Sequence, residues 1–234
     1  MGCDIHLYVE RKINGKWVSA DKWTPDEEES ERKVVTYDDS FYNGRNYSLF
    51  AILADVRNEG TAYDPNDAVD AEFNVIVPPR GIPKDACSSV KAEAVVWDWD
   101  GHNHSWLTLA ELLAFDWTQK NQCAGIIYSA SAYWCWQLYK KQRGERPDSY
   151  CMGTSKKTVT EAGVFPLINA WVKATPFREP KFSAAMDEAF PYSVKVEWEA
   201  TYYQCCTHFL GTVIPRLLRL GKPDDVRIVF WFDN

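Results

Sequence analysis

Val226 to Phe232 (VRIVFWF) is an almost unbroken apolar run of strand length, and ahead of it Tyr192 to Trp198 alternates polar with apolar residues. Between them Glu199 to Leu220 reads as a helix closed by Gly221 and Pro223, so the C-terminus is a strand–helix–strand passage ending in a buried strand. Pro215 within that helix predicts a kink or a restart. At the other end of the chain Cys3 to Glu10 (CDIHLYVE) alternates as well. Residues 3–12 and 16–20 flank Asn14-Gly15, the dipeptide that best tolerates the positive φ angles of a tight turn. The two ends predict a single α+β domain over residues 1–234. Its sheet is mixed or antiparallel and holds the N-terminal hairpin and the C-terminal strand, packed by about four helices near 45–57, 108–117, 129–143 and 200–220.

The interior of the chain fills in that outline. Asn43 to Asn58 (NGRNYSLFAILADVRN) has Tyr47, Phe50, Ala51 and Ala54 on one side of a helix and further apolar residues on most of the rest, which marks it as buried. Arg57 near its C-terminus complements the helix dipole, whereas Arg45 near its N-terminus does not. Thr108 to Glu111 is a capping-box signature before another helix, and Ile126 to Arg143 runs from an apolar stretch into a third. Two acidic loops, 21–40 and 59–74, read as solvated excursions, the first with a short β-like patch from Val34 to Tyr37. Pro78-Pro79-Arg80-Gly81-Ile82-Pro83 fixes an extended loop that presents Arg80 and Lys84 at little entropic cost. Residues 144–190, with Pro147, Pro166, Pro176 and Pro180, read as turn-rich.

Composition excludes several classes of function. A hydrophobic content of 46% is that of a globular chain, and a formal net charge of −7 argues against generic nucleic-acid binding, which needs a broad cationic surface. No apolar run approaches a membrane span, and nothing at the start has the basic-then-apolar pattern of a signal peptide. Seven cysteines without a CxxC motif fit a reducing compartment, the cytosol, and exclude a ribbon or finger zinc site. The 15% aromatic content, with 11 Trp, exceeds what one core should hide and predicts a homo-oligomer.

Histidine is scarce, four in the chain, and three of the four lie in two short motifs, Asp4-Ile5-His6 and Gly101-His102-Asn103-His104. On strands, residues two apart share a face, so Asp4 would project with His6 and His102 with His104. Asp4, His6, His102 and His104 together form an acceptable donor set for one divalent metal, although the residues as a whole call for no cofactor. The motif pair is similar to the first and last motifs of calcineurin-like metallophosphoesterases. Neither GDxxD nor GNHE lies between them, so the two-metal centre of that family cannot be assembled. His6, His102 and His104 are also the candidate acid and base for metal-free phosphodiester chemistry, with His6 paired to either of the others suiting it best. His208 reads as a packed helix residue. GxSxG, GxGxxG and P-loop motifs are absent.

The third reading of these residues is a binding site. Arginine and histidine grip phosphates, and Trp and Tyr stack on rings, which makes Arg45, Tyr47, Arg57, Arg80, His102, His104 and Trp106 the candidate ligand contacts. MGCDIHLYVE, GRNYSLFAILADVRN, PPRGIP, GHNHSWLTLAELL and DVRIVFWFDN, in that order along nearly the whole chain, resemble an uncharacterised family of proteins encoded by tailed bacteriophages and prophages. The resemblance implies an accessory protein in the cytosol of an infected bacterium. It ranks first a counter-defence protein that binds and sequesters a nucleotide-derived immune signal, of the cyclic dinucleotide or cyclic ADP-ribose type. A phosphodiesterase cleaving such signals, and a structural or host-partner-binding protein, are the alternatives.

Overall fold

A computed structural model describes residues 2–27, 29, 31–58, 70–143, 145–175 and 182–234. Residues 59–69 of the second acidic loop, Gly144, Pro176 and Pro180 lie outside the described residues. Among those described, the strands are β1 (Asp4–Ile13), β2 (Lys16–Ser19), β3 (Trp23–Pro25), β4 (Lys33–Val35), β5 (His102–Thr108), β6 (Lys120–Ile127), β7 (Thr158–Thr160), β8 (Ser193–Thr201) and β9 (Val226–Asp233). The helices are α1 (Tyr47–Ala54), α2 (Ser88–Val96), α3 (Leu109–Ala114), α4 (Ala130–Arg143), α5 (Glu161–Ala174), α6 (Phe182–Ala189), α7 (Tyr202–Cys205) and α8 (Ile214–Leu218). The class is α+β, as expected. The chain forms two compact units, one of residues 1–58, 73–118 and 202–234 and one of residues 59–72 and 119–201. Neither is a continuous stretch, so no single cut of the sequence separates them.

The first unit is built on a four-stranded antiparallel sheet in the order β2-β1-β9-β5. Asn14 and Gly15 both take positive φ, 50° and 77°, and fold β1 back on β2. β9 lies between β1 and β5, which is why its sequence is apolar nearly throughout. Side chains alternate across a strand, so Ile5, Leu7 and Val9 share a face with Ile228, Phe230 and Phe232. α1 packs against that face, with Phe50 and Phe232 ring centroids 4.9 Å apart. α1 is shorter than its pattern suggested because Asn46 caps it, accepting from Leu49 N–H at 3.2 Å, and Asp55 turns left-handed at φ 62°.

Several expectations are corrected in this unit. β8 continues to Thr201, so the predicted helix over 199–220 begins at Tyr202, is interrupted by a π-helical turn at Phe209–Val213, and restarts at α8 with Pro215 in its first turn. The first acidic loop is more than a solvated excursion: β3 pairs with β4, and Trp23 stacks on Tyr8 at 5.4 Å. Asp21 ties this loop to the sheet, its Oδ2 accepting from Val9 N–H at 2.8 Å and Ser19 Oγ–H at 3.0 Å, and burial pushes its carboxyl up to about 6. The short helix α2, which the sequence reading passed over, places Val90 and Ala94 against Tyr8 and Trp231.

The second unit holds the sheet β6-β8-β7, in which β6 and β8 pair antiparallel and β7 and β8 parallel. Ile126, Ile127, Val194, Val196, Tyr133, Ile168 and Met186 are buried in it. Asp187 caps α4, accepting from Ser131 N–H and Ser131 Oγ–H, both at 2.8 Å. The turn-rich reading of 144–190 holds over 145–157 and is overturned over Glu161–Ala174 and Phe182–Ala189 by α5 and α6. Val164 and Ile168, one helical turn apart, anchor α5, and that packing outweighs the hydrogen bond lost at Pro166. No helix among the described residues is long and apolar enough to cross a membrane.

Candidate functional site

The face of the four-stranded sheet opposite α1 is a ladder of aromatic and charged rows. Along β1 and β9 the register pairs Asp4 with Asp233, His6 with Trp231, Tyr8 with Val229 and Glu10 with Arg227. β5 adds Trp106 beside Val229 and Thr108 beside Arg227, while β2 sets Trp17 opposite Lys12. Two sites sit on this ladder, a histidine end and an arginine end.

At the histidine end the expected H-x-H geometry fails for a local reason. Asn103 takes a left-handed conformation, φ 49°, its side chain donating to the Ala54 carbonyl at 2.9 Å, and the β5–β9 register shifts between His102 and Ser105. The bulge sends the two rings to opposite faces. His102 faces Phe232 at 6.1 Å and donates through Nδ1–H to Asn103 Oδ1 at 3.0 Å, whereas His104 stacks on Trp231 at 5.5 Å. His6 stacks on Trp231 from β1, at 5.9 Å, meets Trp97 at 4.0 Å and donates through Nε2–H to Asp233 at 3.1 Å. Gly101 is required here, since a Cβ would lie 2.6 Å from the Trp97 carbonyl oxygen and 3.1 Å from His104. Burial holds the His104 imidazole below its ordinary value, opposed by Asp98 and reinforced by His102.

These positions decide what the histidines can do. Because β9 separates β1 from β5, the Trp231 indole stands between His6 and His104, and the two cannot share one reacting atom as acid and base. Asp4, His6, His102 and His104 do not converge either. Asp4 is taken by Arg45, whose Nε–H donates to it at 2.8 Å and holds its carboxyl below the usual range, and His102 is on the other face. No group of three or more His, Cys, Asp and Glu side chains among the described residues is arranged to hold a metal ion.

Arg45, Tyr47 and Arg57 form a separate cluster beside the start of β1. Cys3 N–H donates to the Tyr47 hydroxyl at 3.4 Å, the Arg57 guanidinium lies 5.8 Å from the Tyr47 ring, and Arg57 donates to Asn234 Oδ1 at 3.2 Å. Arg45, which had no structural reason in the sequence, has one here: it clamps Asp4.

Arg80 and Trp106, by contrast, meet at the arginine end. Gly81, at φ 74°, donates its N–H to the His104 carbonyl at 2.8 Å and docks the proline loop on the edge of β5. Arg80 then lies over the Trp106 ring at 3.8 Å, donates to the Trp106 carbonyl, and donates to both oxygens of Glu111 at 2.8 and 3.0 Å. Glu111 is fixed in turn by the Thr108 capping box. The Arg227 guanidinium lies 5.6 Å from the Trp106 ring centroid and 4.0 Å from that of Trp17. Trp17, Arg227, Trp106 and Arg80 thus alternate as π face and cation. They line an open cleft of about 560 Å³, together with Lys12 and Lys84 and the carboxylates Asp85 and Asp224. Lys12 stands 4.8 Å from the Trp17 ring, and among the described residues neither Lys12 nor Lys84 has an ion-pair partner.

The comparisons with known proteins are silent. The chain matches no family model, no curated protein and no solved structure.

Arg80, Trp106 and Lys84 of the cleft were legible in the sequence; Trp17, Lys12 and Arg227 were not singled out. A signal for Arg227 existed. A lone arginine inside VRIVFWF must find a carboxylate, and the alternating first strand offers Glu10. Arg227 Nε–H donates to Glu10 Oε2 at 2.7 Å, with the two side chains 3% and 0% exposed.

Proposed function

We propose that this protein binds a nucleotide-derived anion in the Trp17–Arg227–Trp106–Arg80 cleft and sequesters it. The observation that carries the reading is the alternation of indole faces and guanidinium groups around an open space with two uncommitted lysines. Indoles take a base on a face, while the two lysines and the unpartnered Nη2 of Arg227 take phosphate oxygens, and a volume of about 560 Å³ falls in the range of small-molecule sites. The acidic net charge argues against long nucleic acids, and the cleft offers a small anion the local charges of Lys12 and Lys84. The likeness of the chain's segments to tailed-phage and prophage proteins supports the setting, a counter-defence protein that captures a host immune nucleotide. Capture is favoured over cleavage because His6 and His104, the acid–base candidates, flank Trp231 toward the other end of the ladder.

Incubation with a panel of cyclic dinucleotides and cyclic ADP-ribose relatives, followed by analysis of what is bound and of what denaturation releases, tests this. Intact nucleotide after release is the expected result. Cleaved nucleotide would make the protein a phosphodiesterase, and no uptake of any member would overturn both readings in favour of a protein partner.

A further inference from the structure

The arginine end already contains an anion, and its position suggests how a ligand enters. Arg227 has three directions in which to donate. Nε–H is satisfied by Glu10 at 2.7 Å, Nη1–H by Asp85 at 2.9 Å, and Nη2 is buried without a hydrogen-bond partner. The two carboxylates are unlike each other. Glu10 is wholly buried and also accepts the Cys87 N–H at 2.6 Å, so it is part of the frame. The Asp85 side chain is 67% exposed, and it rides on the turn closed by Ala86 N–H to the Pro83 carbonyl at 3.0 Å, just after the proline loop. An arginine left with an unused donor, in contact with an exposed carboxylate at the wall of a cleft that also holds Lys12 and Lys84, is an arrangement that a phosphoryl group fits.

We propose that Asp85 is an internal stand-in for a phosphoryl group: the ligand displaces the Asp85 carboxylate from Arg227 and places one oxygen at Nη1 and a second at Nη2. The inference rests on the proposed function of the cleft and specifies its chemistry. A phosphoryl group offers more acceptor oxygens than a carboxylate and can engage both terminal nitrogens of the guanidinium together, which Asp85 does not. Displacement gives up the Asp85 contacts with Arg227 and with the Trp17 side chain, and it returns to water a carboxylate that is already 67% exposed while Glu10 keeps the buried arginine paired. Lys12 and Lys84 receive the remaining ligand charge. Until it is displaced, Asp85 competes with every incoming anion and lowers apparent affinity by the fraction of time Arg227 is free.

Calorimetric titration of the wild type, Asp85→Asn, Asp85→Ala and Asp85→Glu with inorganic pyrophosphate and with ADP tests this, with melting temperature as the control for folding. If Asp85 occupies Arg227 about nine-tenths of the time, the two variants that remove its charge should bind both probes about tenfold more tightly than the wild type, and Asp85→Glu should bind like it. Equal or weaker binding by folded Asp85→Asn and Asp85→Ala would show that Asp85 is a strut and overturn the inference while leaving nucleotide capture intact. Absence of binding of both probes by every form overturns the inference as well. The nucleotide panel then decides independently whether the cleft binds nucleotide.

Discussion

The two ends of one sheet face use the same construction with opposite electrostatic results. At one end Trp231 is in contact with His6 and His104; at the other Trp106 is in contact with Arg80 and, at 5.6 Å, Arg227. Each end has a buried nitrogen without a partner, Nε1 of Trp231 and Nη2 of Arg227. Burial against an indole discourages charge on an imidazole, which can shed its proton, so His104 is pushed toward its neutral form. A guanidinium cannot escape in that way and must be paired, and Glu10 is buried with it. The histidine end therefore becomes packing, and the arginine end keeps a fixed positive charge. On the proposed reading, the more conspicuous motif in the sequence is the one that does not bind the anion.

The largest effect should come from breaking the pair that keeps that charge. Arg227→Met leaves Glu10 buried without its counter-charge and should lower the unfolding free energy by about 3–5 kcal/mol, and Glu10→Gln, which leaves Arg227 only the exposed Asp85, should cost less. Combining the two should recover most of the loss, because no charge is then stranded. Urea denaturation of the single and double variants measures it. Additive losses in the double variant would mean that the rows are held by the indoles alone, and the contrast between the two ends would lose its basis.

What could be read in advance follows the range of the forces involved. The β1–β2 hairpin, β9, the α1 region, the α3 capping box and the restart at Pro215 were all legible because each is set by local turn, cap or period chemistry. α5 was hidden by Pro166, whose penalty is local while its compensation, burial of Val164 and Ile168, is tertiary. The histidine motif misled because Asn103 reverses the expected alternation, and a left-handed asparagine between two histidines has no signature when read as extended strand. Arg80 and Trp106 were found as isolated candidates. Their partners Trp17 and Arg227 come from β2 and β9, and only the sheet register brings them together.

The stacking groups offer a smaller test on the arginine end. Trp17→Ala and Trp106→Ala should each weaken capture of the nucleotide by about 1–3 kcal/mol, the usual worth of one aromatic face on a base, measured as the shift in Kd. Trp97→Ala, on the histidine end and 4.0 Å from His6, should leave Kd unchanged. Loss of binding in Trp97→Ala with Kd unchanged in Trp106→Ala would reverse the assignment of the two ends.

The smallest effect, and the sharpest on mechanism, concerns the pH dependence of the histidine end. Desolvation first, then the His102 dipole or charge, lowers the His104 pKa against the opposing pull of Asp98, so in the folded protein the ring binds its proton less readily than in the unfolded chain. Between the depressed folded value and the ordinary 6.5 the unfolded state holds more protons, and stability rises with pH across that interval. The contribution from His104 is therefore fully present above pH 6.5 and is lost as pH falls through the folded value. His104→Gln should flatten that part of the stability profile and leave nucleotide affinity at neutral pH as it was, because the ring belongs to the packed end of the ladder. Urea midpoints across the acid limb, with Kd determined on the same samples, read both quantities. If the slope is unchanged and affinity falls instead, His104 is a ligand contact, and the division between a packed histidine end and a binding arginine end is wrong.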